Sequence, residues 1–81
     1  MAGTAGSSLT AELNRLASTT GKAAQGAANV YAGTSGLGLV AALNIKADAN
    51  RQPSAYKGLN AICNELASTT GKSASDALRT I

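Results

Sequence analysis

Ala17-Ser18-Thr19-Thr20-Gly21-Lys22 returns unchanged as Ala67-Ser68-Thr69-Thr70-Gly71-Lys72. A fifty-residue shift also aligns Leu9 with Leu59, Ala11 with Ala61, Asn14 with Asn64 and Leu16 with Leu66. Two further copies lie between these. Asn14, Asn29 and Asn44 follow one another at fifteen residues. Asn64 comes after twenty, and Arg79 takes the slot fifteen beyond it. The five extra residues coincide with 48–54, the only stretch that contains proline. A fixed period of this kind is the signature of a repeat architecture.

Within each copy the apolar positions fall at i, i+4, i+7 and i+8, one face of a helix. The first column reads Leu9, Ala24, Leu39, Leu59, Ala74, and the second Leu13, Ala28, Leu43, Cys63, Leu78. The third reads Leu16, Tyr31, Lys46, Leu66, Ile81, and the fourth Ala17, Ala32, Ala47, Ala67. Strand alternation does not fit. The spacing predicts an all-α fold without strands: about five short helices of 10–12 residues, near 8–17, 21–32, 36–47, 55–67 and 71–80, stacked as a compact zigzag. Gly33 suits the left-handed position that ends a helix. The Ser and Thr of each turn suit N-capping of the next helix, with Gly21, Gly36 and Gly71 near its first position. Residues 1–7 read as a flexible polar leader. Residues 8–81 read as one helical-repeat domain with an insertion near 48–54.

The recurring asparagine needs its own explanation, because asparagine is a mediocre helix former. Asn14, Asn29, Asn44 and Asn64 occupy the same slot with no catalytic companion. The expectation is structural: each amide bonds a neighbouring turn or helix end and fixes the register between repeats. A recurring ligand contact is the functional alternative. Tyr31 and Tyr56 are the largest apolar bodies in the chain and are candidate interface anchors. Gap filling is the competing reading. Lys46 interrupts the third column, either snorkelling at its edge or contacting an acidic partner.

Composition removes several kinds of chemistry. There is no His, which excludes His-dependent triads, dyads and metal sites. Cys63 is the one cysteine, so no disulfide forms within the chain, and a small buried apolar group is the better reading than a nucleophile. The acids Glu12, Asp48, Glu65 and Asp76 are too few to suggest a metal cage. Gly71-Lys72-Ser73 matches the end of a phosphate loop, but Leu66 stands where the leading glycine belongs and no strand precedes it. The expectation is a non-enzymatic protein without catalytic residues, cofactor or metal.

The charge of +3 is scattered and the chain has only two aromatic residues, which gives little support to nucleic-acid binding. No apolar run approaches the length of a membrane span, and the N-terminus lacks the features of a secretory signal. A single thiol fits a reducing cytoplasm. Large aliphatic residues number fourteen of 81, while eighteen Ala carry half of the apolar content. Helices this short need tertiary partners. So thin a core suggests docking on a host surface or self-association.

Asn29-Val-Tyr-Ala-Gly-Thr-Ser-Gly-Leu-Gly-Leu-Val-Ala-Ala-Leu-Asn44 and Leu16-Ala-Ser-Thr-Thr-Gly21 resemble a short repeat of tailed-bacteriophage virion proteins. In that repeat Leu-Asn-x-x-Ala-Gly-Thr-Thr-Gly-Leu units recur, in minor capsid, head-associated or tail-associated components. The resemblance covers most of residues 9–81. Departures are Ser18 and Ser68 in place of Gly, and Asp48 in place of Gly with the turn lost. The resemblance implies a decoration or cement protein that binds the major capsid protein. It would be assembled into the virion in the host cytoplasm, without nucleic-acid or membrane partners. A tail or head–tail accessory protein is the first alternative. A cationic membrane-active peptide is the second, suggested by amphipathic helices with positive charge.

Overall fold

The computed structural model describes residues 8–81. The leader reading of residues 1–7 lies outside the described residues. Five helices follow in order: α1 (Leu9–Ala17), α2 (Ala24–Ala32), α3 (Leu39–Ala47), α4 (Leu59–Ala67) and α5 (Ala74–Arg79). No strand is present among the described residues. Each helix packs on the next in the chain, and α5 packs back on α1, so the run closes on itself. The radius of gyration, 11.8 Å, matches the value of about 12 Å for a folded chain of this length.

The helices are shorter than the spacing predicts. The first four have nine residues each and α5 has six. The difference lies at their starts. Gly21, Gly36 and Gly71 have φ of 74°, 78° and 75°, in the left-handed region, which places them in the turn and outside the next helix. The two residues after each of them complete the approach before helix geometry begins. The N-caps Ala23, Gly38 and Gly58 of α2, α3 and α4 are extended residues without a side-chain capping bond.

Hydroxyl capping of the next helix by Ser18, Thr19, Thr34, Ser68 or Thr69 is therefore not what the turn residues do. Ser8 caps α1 through a bond from Ala11 N, and Ser73 caps α5 through one from Asp76 N. Those caps belong to the two helices at the ends of the described run.

Three of the five helix ends follow one rule, and α3 and α5, whose C-cap Thr80 stays right-handed, depart from it. Ser18, Gly33 and Ser68 are left-handed, with φ of 58°, 72° and 59°. Their N–H groups donate to Arg15 O, Val30 O and Glu65 O. The next residues, Thr19, Thr34 and Thr69, donate to Asn14 O, Asn29 O and Asn64 O, each at 2.9 Å. This pair of bonds is the Schellman closure, which satisfies the orphan carbonyls of the last turn. At α3, Asp48 is extended (φ −155°) and the Schellman closure is replaced by a longer linker. That linker runs from 48 to 58 and contains one 3₁₀ turn at Pro53–Ala55.

The core is a band of three consecutive residues near the middle of each of the first four helices, completed by α5. The fully or almost fully buried groups are Glu12-Leu13-Asn14, Ala27-Ala28-Asn29, Ala42-Leu43-Asn44 and Ile62-Cys63-Asn64, with Ala77 and Leu78 in α5. The second apolar column, Leu13 to Leu78, is therefore the centre of the molecule. The first, third and fourth columns surround it and are partly exposed, apart from the buried Ala74 and the exposed Lys46 and Ile81. The column at 12, 27, 42, 62 and 77 is missed by the i, i+4, i+7, i+8 pattern. Three of its five members are alanines and one is an acid, so apolar periodicity does not reveal it. Its small side chains let neighbouring helices approach closely.

Candidate functional site

The most organised polar feature is a bracket built four times on the recurring asparagine. Asn14 sits three residues before the end of α1 and reaches across to the segment that enters α2. Its Nδ2 donates to Thr10 O and to Lys22 O, both at 2.9 Å. Its Oδ1 accepts from Lys22 N at 3.1 Å and from Thr19 Oγ1 at 2.7 Å. Two donors and two acceptor positions are the whole capacity of a primary amide, so this side chain is fully engaged.

Asn29 repeats the arrangement with Gln25 O, Leu37 O, Leu37 N and Thr34 Oγ1. Asn64 does so with Asn60 O, Lys72 O, Lys72 N and Thr69 Oγ1. In each case both main-chain polar groups of one residue outside the helices, eight positions on, are held by one side chain. The bonds resemble a strand pairing supplied by an amide, and they explain why an indifferent helix former occupies this slot. All four asparagines are at most 9% exposed.

Asn44 keeps the bracket across the longer linker. Its Nδ2 donates to Val40 O and Lys57 O, and its Oδ1 accepts from Lys57 N at 2.9 Å. The span is thirteen residues instead of eight, which absorbs the five-residue insertion. No threonine is in place here. Arg51 Nη1 supplies the missing donor to Asn44 Oδ1 at 3.0 Å. Arg51 Nη2 reaches Glu65 Oε2 at 2.8 Å, and Lys57 Nζ lies 2.9 Å from Glu65 Oε1. Hydrogen bonds from Arg51 and then Lys57 hold the Glu65 carboxyl well below its ordinary range, at about 2.

The slot of the bracket in α5 is Arg79. Arg79 closes the circuit instead. Its Nε lies 4.0 Å from Oε2 of Glu12, which is 2% exposed on α1, and its Nη2 bonds Asp76 Oδ1 at 2.6 Å. Arg15 Nε bonds Glu12 Oε1 at 2.9 Å, and Arg15 Nη2 donates to Leu78 O at 2.9 Å. A buried carboxylate needs such pairing, because an isolated charge loses its hydration without compensation.

The remaining candidates take simpler places. Tyr31 is half-buried on α2, and burial raises its hydroxyl pKa. Lys46 lies over its ring at 4.7 Å, a cation–π contact between neighbouring repeats. Tyr56 is half-buried just after the 3₁₀ turn. The structure does not bring the two tyrosines into one described contact. Cys63 is fully buried, and desolvation pushes its thiol up to about 11, far from the reactive thiolate. No cluster of three metal-ligating side chains occurs among the described residues. No helix there is long and apolar enough to cross a membrane.

One open cleft of about 580 Å³ lies beside α4 and the turn that leads to α5. Lys57, Asn60, Glu65, Thr70 and Lys72 line it.

Known protein families, curated proteins and solved structures yield no match to this chain.

Proposed function

We propose that this chain is a non-enzymatic structural protein of a tailed-bacteriophage particle, a minor capsid protein that binds and stabilises the shell of major capsid protein. The observation that carries the reading is the coincidence of the virion repeat with the bracket. In Asn29 to Leu37, Asn29 is the clamp, Gly33 takes the left-handed helix end, Thr34 donates to the clamp, Gly36 turns the chain and Leu37 is held. The positions that carry the resemblance are thus positions that build this architecture.

Such a design suits a small accessory component. Polar clamps lock short helices that have little apolar mass, the outer columns stay partly exposed, and Val30, outside those columns, and Ile81 are 46% and 45% exposed. A shell covers surface of this kind over many copies, and weak contacts multiplied around a particle resist internal pressure.

Quantitative mass spectrometry of purified particles tests the reading. A copy number that tracks the major capsid protein supports it. A few copies per particle place the chain in the tail, and absence from particles overturns the proposal. Particles lacking the chain are expected to release DNA at a lower temperature than complete ones.

A further inference from the structure

We propose that the cleft beside α4 is a docking site for a carboxylate side chain carried by a partner protein. The proposal rests on the shell-binding reading only for the identity of that partner.

The cleft is lined by several donor side chains. Asn60 Oδ1 accepts from Ala74 N at 2.9 Å. That bond fixes which end of the amide faces α5 and leaves the Asn60 NH₂ group with no partner among the described residues. Lys57 and Lys72 lie on the same cleft, and the Thr70 hydroxyl adds a further polar group. The backbone roots of both lysines are pinned, Lys57 by Asn44 and Lys72 by Asn64. Pinned roots lower the entropy lost when a ligand orders the side chains.

The charge balance selects the ligand. Glu65 is the acid of the cleft, and Arg51 and Lys57 already match it. Lys72 makes no ion pair among the described residues, so a net positive charge remains. The cleft also differs from its equivalents. At the α2–α3 step the corresponding residues are Lys22 and Leu37, with Gln25 in place of Asn60. Lysine at both ends is specific to α4 and α5. A single carboxylate, accepting from Lys72 Nζ and Asn60 Nδ2, satisfies both idle donors at once.

Amide chemical-shift titration of the whole chain with a short poly-glutamate peptide at low salt tests the site without any virion component. Its failure is therefore distinct from failure of the capsid reading. Shifts concentrated at Lys57, Asn60, Thr70 and Lys72, and weakened about threefold to fivefold by Lys72→Gln, are expected. Lys22→Gln should leave the affinity unchanged. Circular dichroism checks that both variants keep their helicity. Equal losses from the two substitutions, or shifts spread over every lysine, overturn the site. Tighter binding of an oligonucleotide or of phosphatidylglycerol vesicles at these residues overturns the assignment to a protein carboxylate.

Discussion

Arg51 Nη1 donates to Asn44 Oδ1 at 3.0 Å, in the place where Thr19, Thr34 and Thr69 donate to Asn14, Asn29 and Asn64. The insertion therefore breaks the repeat in length but preserves its bonds. One long side chain from the linker replaces one short side chain from the turn, and it also gathers Glu65 from α4.

Asn29→Ala removes four hydrogen bonds and leaves the Leu37 N–H without its acceptor. A net value of about 1 kcal/mol per bond, with a penalty for groups left unpaired, gives a loss of about 2–4 kcal/mol. Asn29→Asp keeps the shape but faces two carbonyl oxygens with a carboxylate, and should be no better tolerated. Urea denaturation followed by circular dichroism reads both.

Arg51→Ala should destabilise the protein less than Asn44→Ala does. The arginine variant loses one of the bonds to Asn44 Oδ1, whereas the asparagine variant releases Lys57 as well. Arg51→Lys should not restore full stability, because one ammonium does not reproduce two separated guanidinium contacts. Thermal midpoints of the three variants provide the ranking.

Acid should weaken this same linker. The Glu65 carboxyl falls from an ordinary 4.5 to about 2 in the folded protein, chiefly through the Arg51 bond and then the Lys57 bond. A depressed folded value means that the stabilisation is complete above about pH 4.5 and is lost as the pH falls towards 2. The thermal midpoint should therefore drop between pH 5 and 2, and Glu65→Gln should flatten part of that drop.

Two glycines should respond in opposite directions. Gly33 has φ of 72° and open space where a methyl group would stand, so Gly33→Ala costs only backbone strain, about 1 kcal/mol. Gly26 lies inside α2, and a Cβ there would meet Lys22 Cβ at an ordinary 3.8 Å. Gly26→Ala should stabilise by about 0.5–1 kcal/mol. Melting of the two variants in parallel checks the contrast.

Periodicity makes five helices legible because apolar side chains at i, i+4, i+7 and i+8 mark a helical face wherever they fall. The asparagine slot is visible for a related reason: a poor helix former kept at a constant phase demands a duty. The late helix starts are hidden, since Gly21 looks the same in a helix and in a left-handed turn. The threonines mislead because a hydroxyl near a helix start suggests capping, whereas Thr19 is drawn to an amide behind it. The closure of α5 on α1 joins residues such as Arg15 and Leu78, 63 positions apart, and no local pattern encodes that pairing. Glu12 stands in a column otherwise filled by Ala and Ile, and its burial makes sense only with Arg15 and Arg79 beside it.

Each asparagine fastens a non-helical residue two positions ahead of the next helix. Hydrogen exchange of the Lys22, Leu37, Lys57 and Lys72 amides reads this fastening. These four lie outside every helix, yet each donates to an asparagine Oδ1 at 2.9–3.2 Å. Protection comparable to that of the helix centres is expected, lost locally at Leu37 in Asn29→Ala. Exchange at unstructured-chain rates while the helix centres stay protected would contradict it.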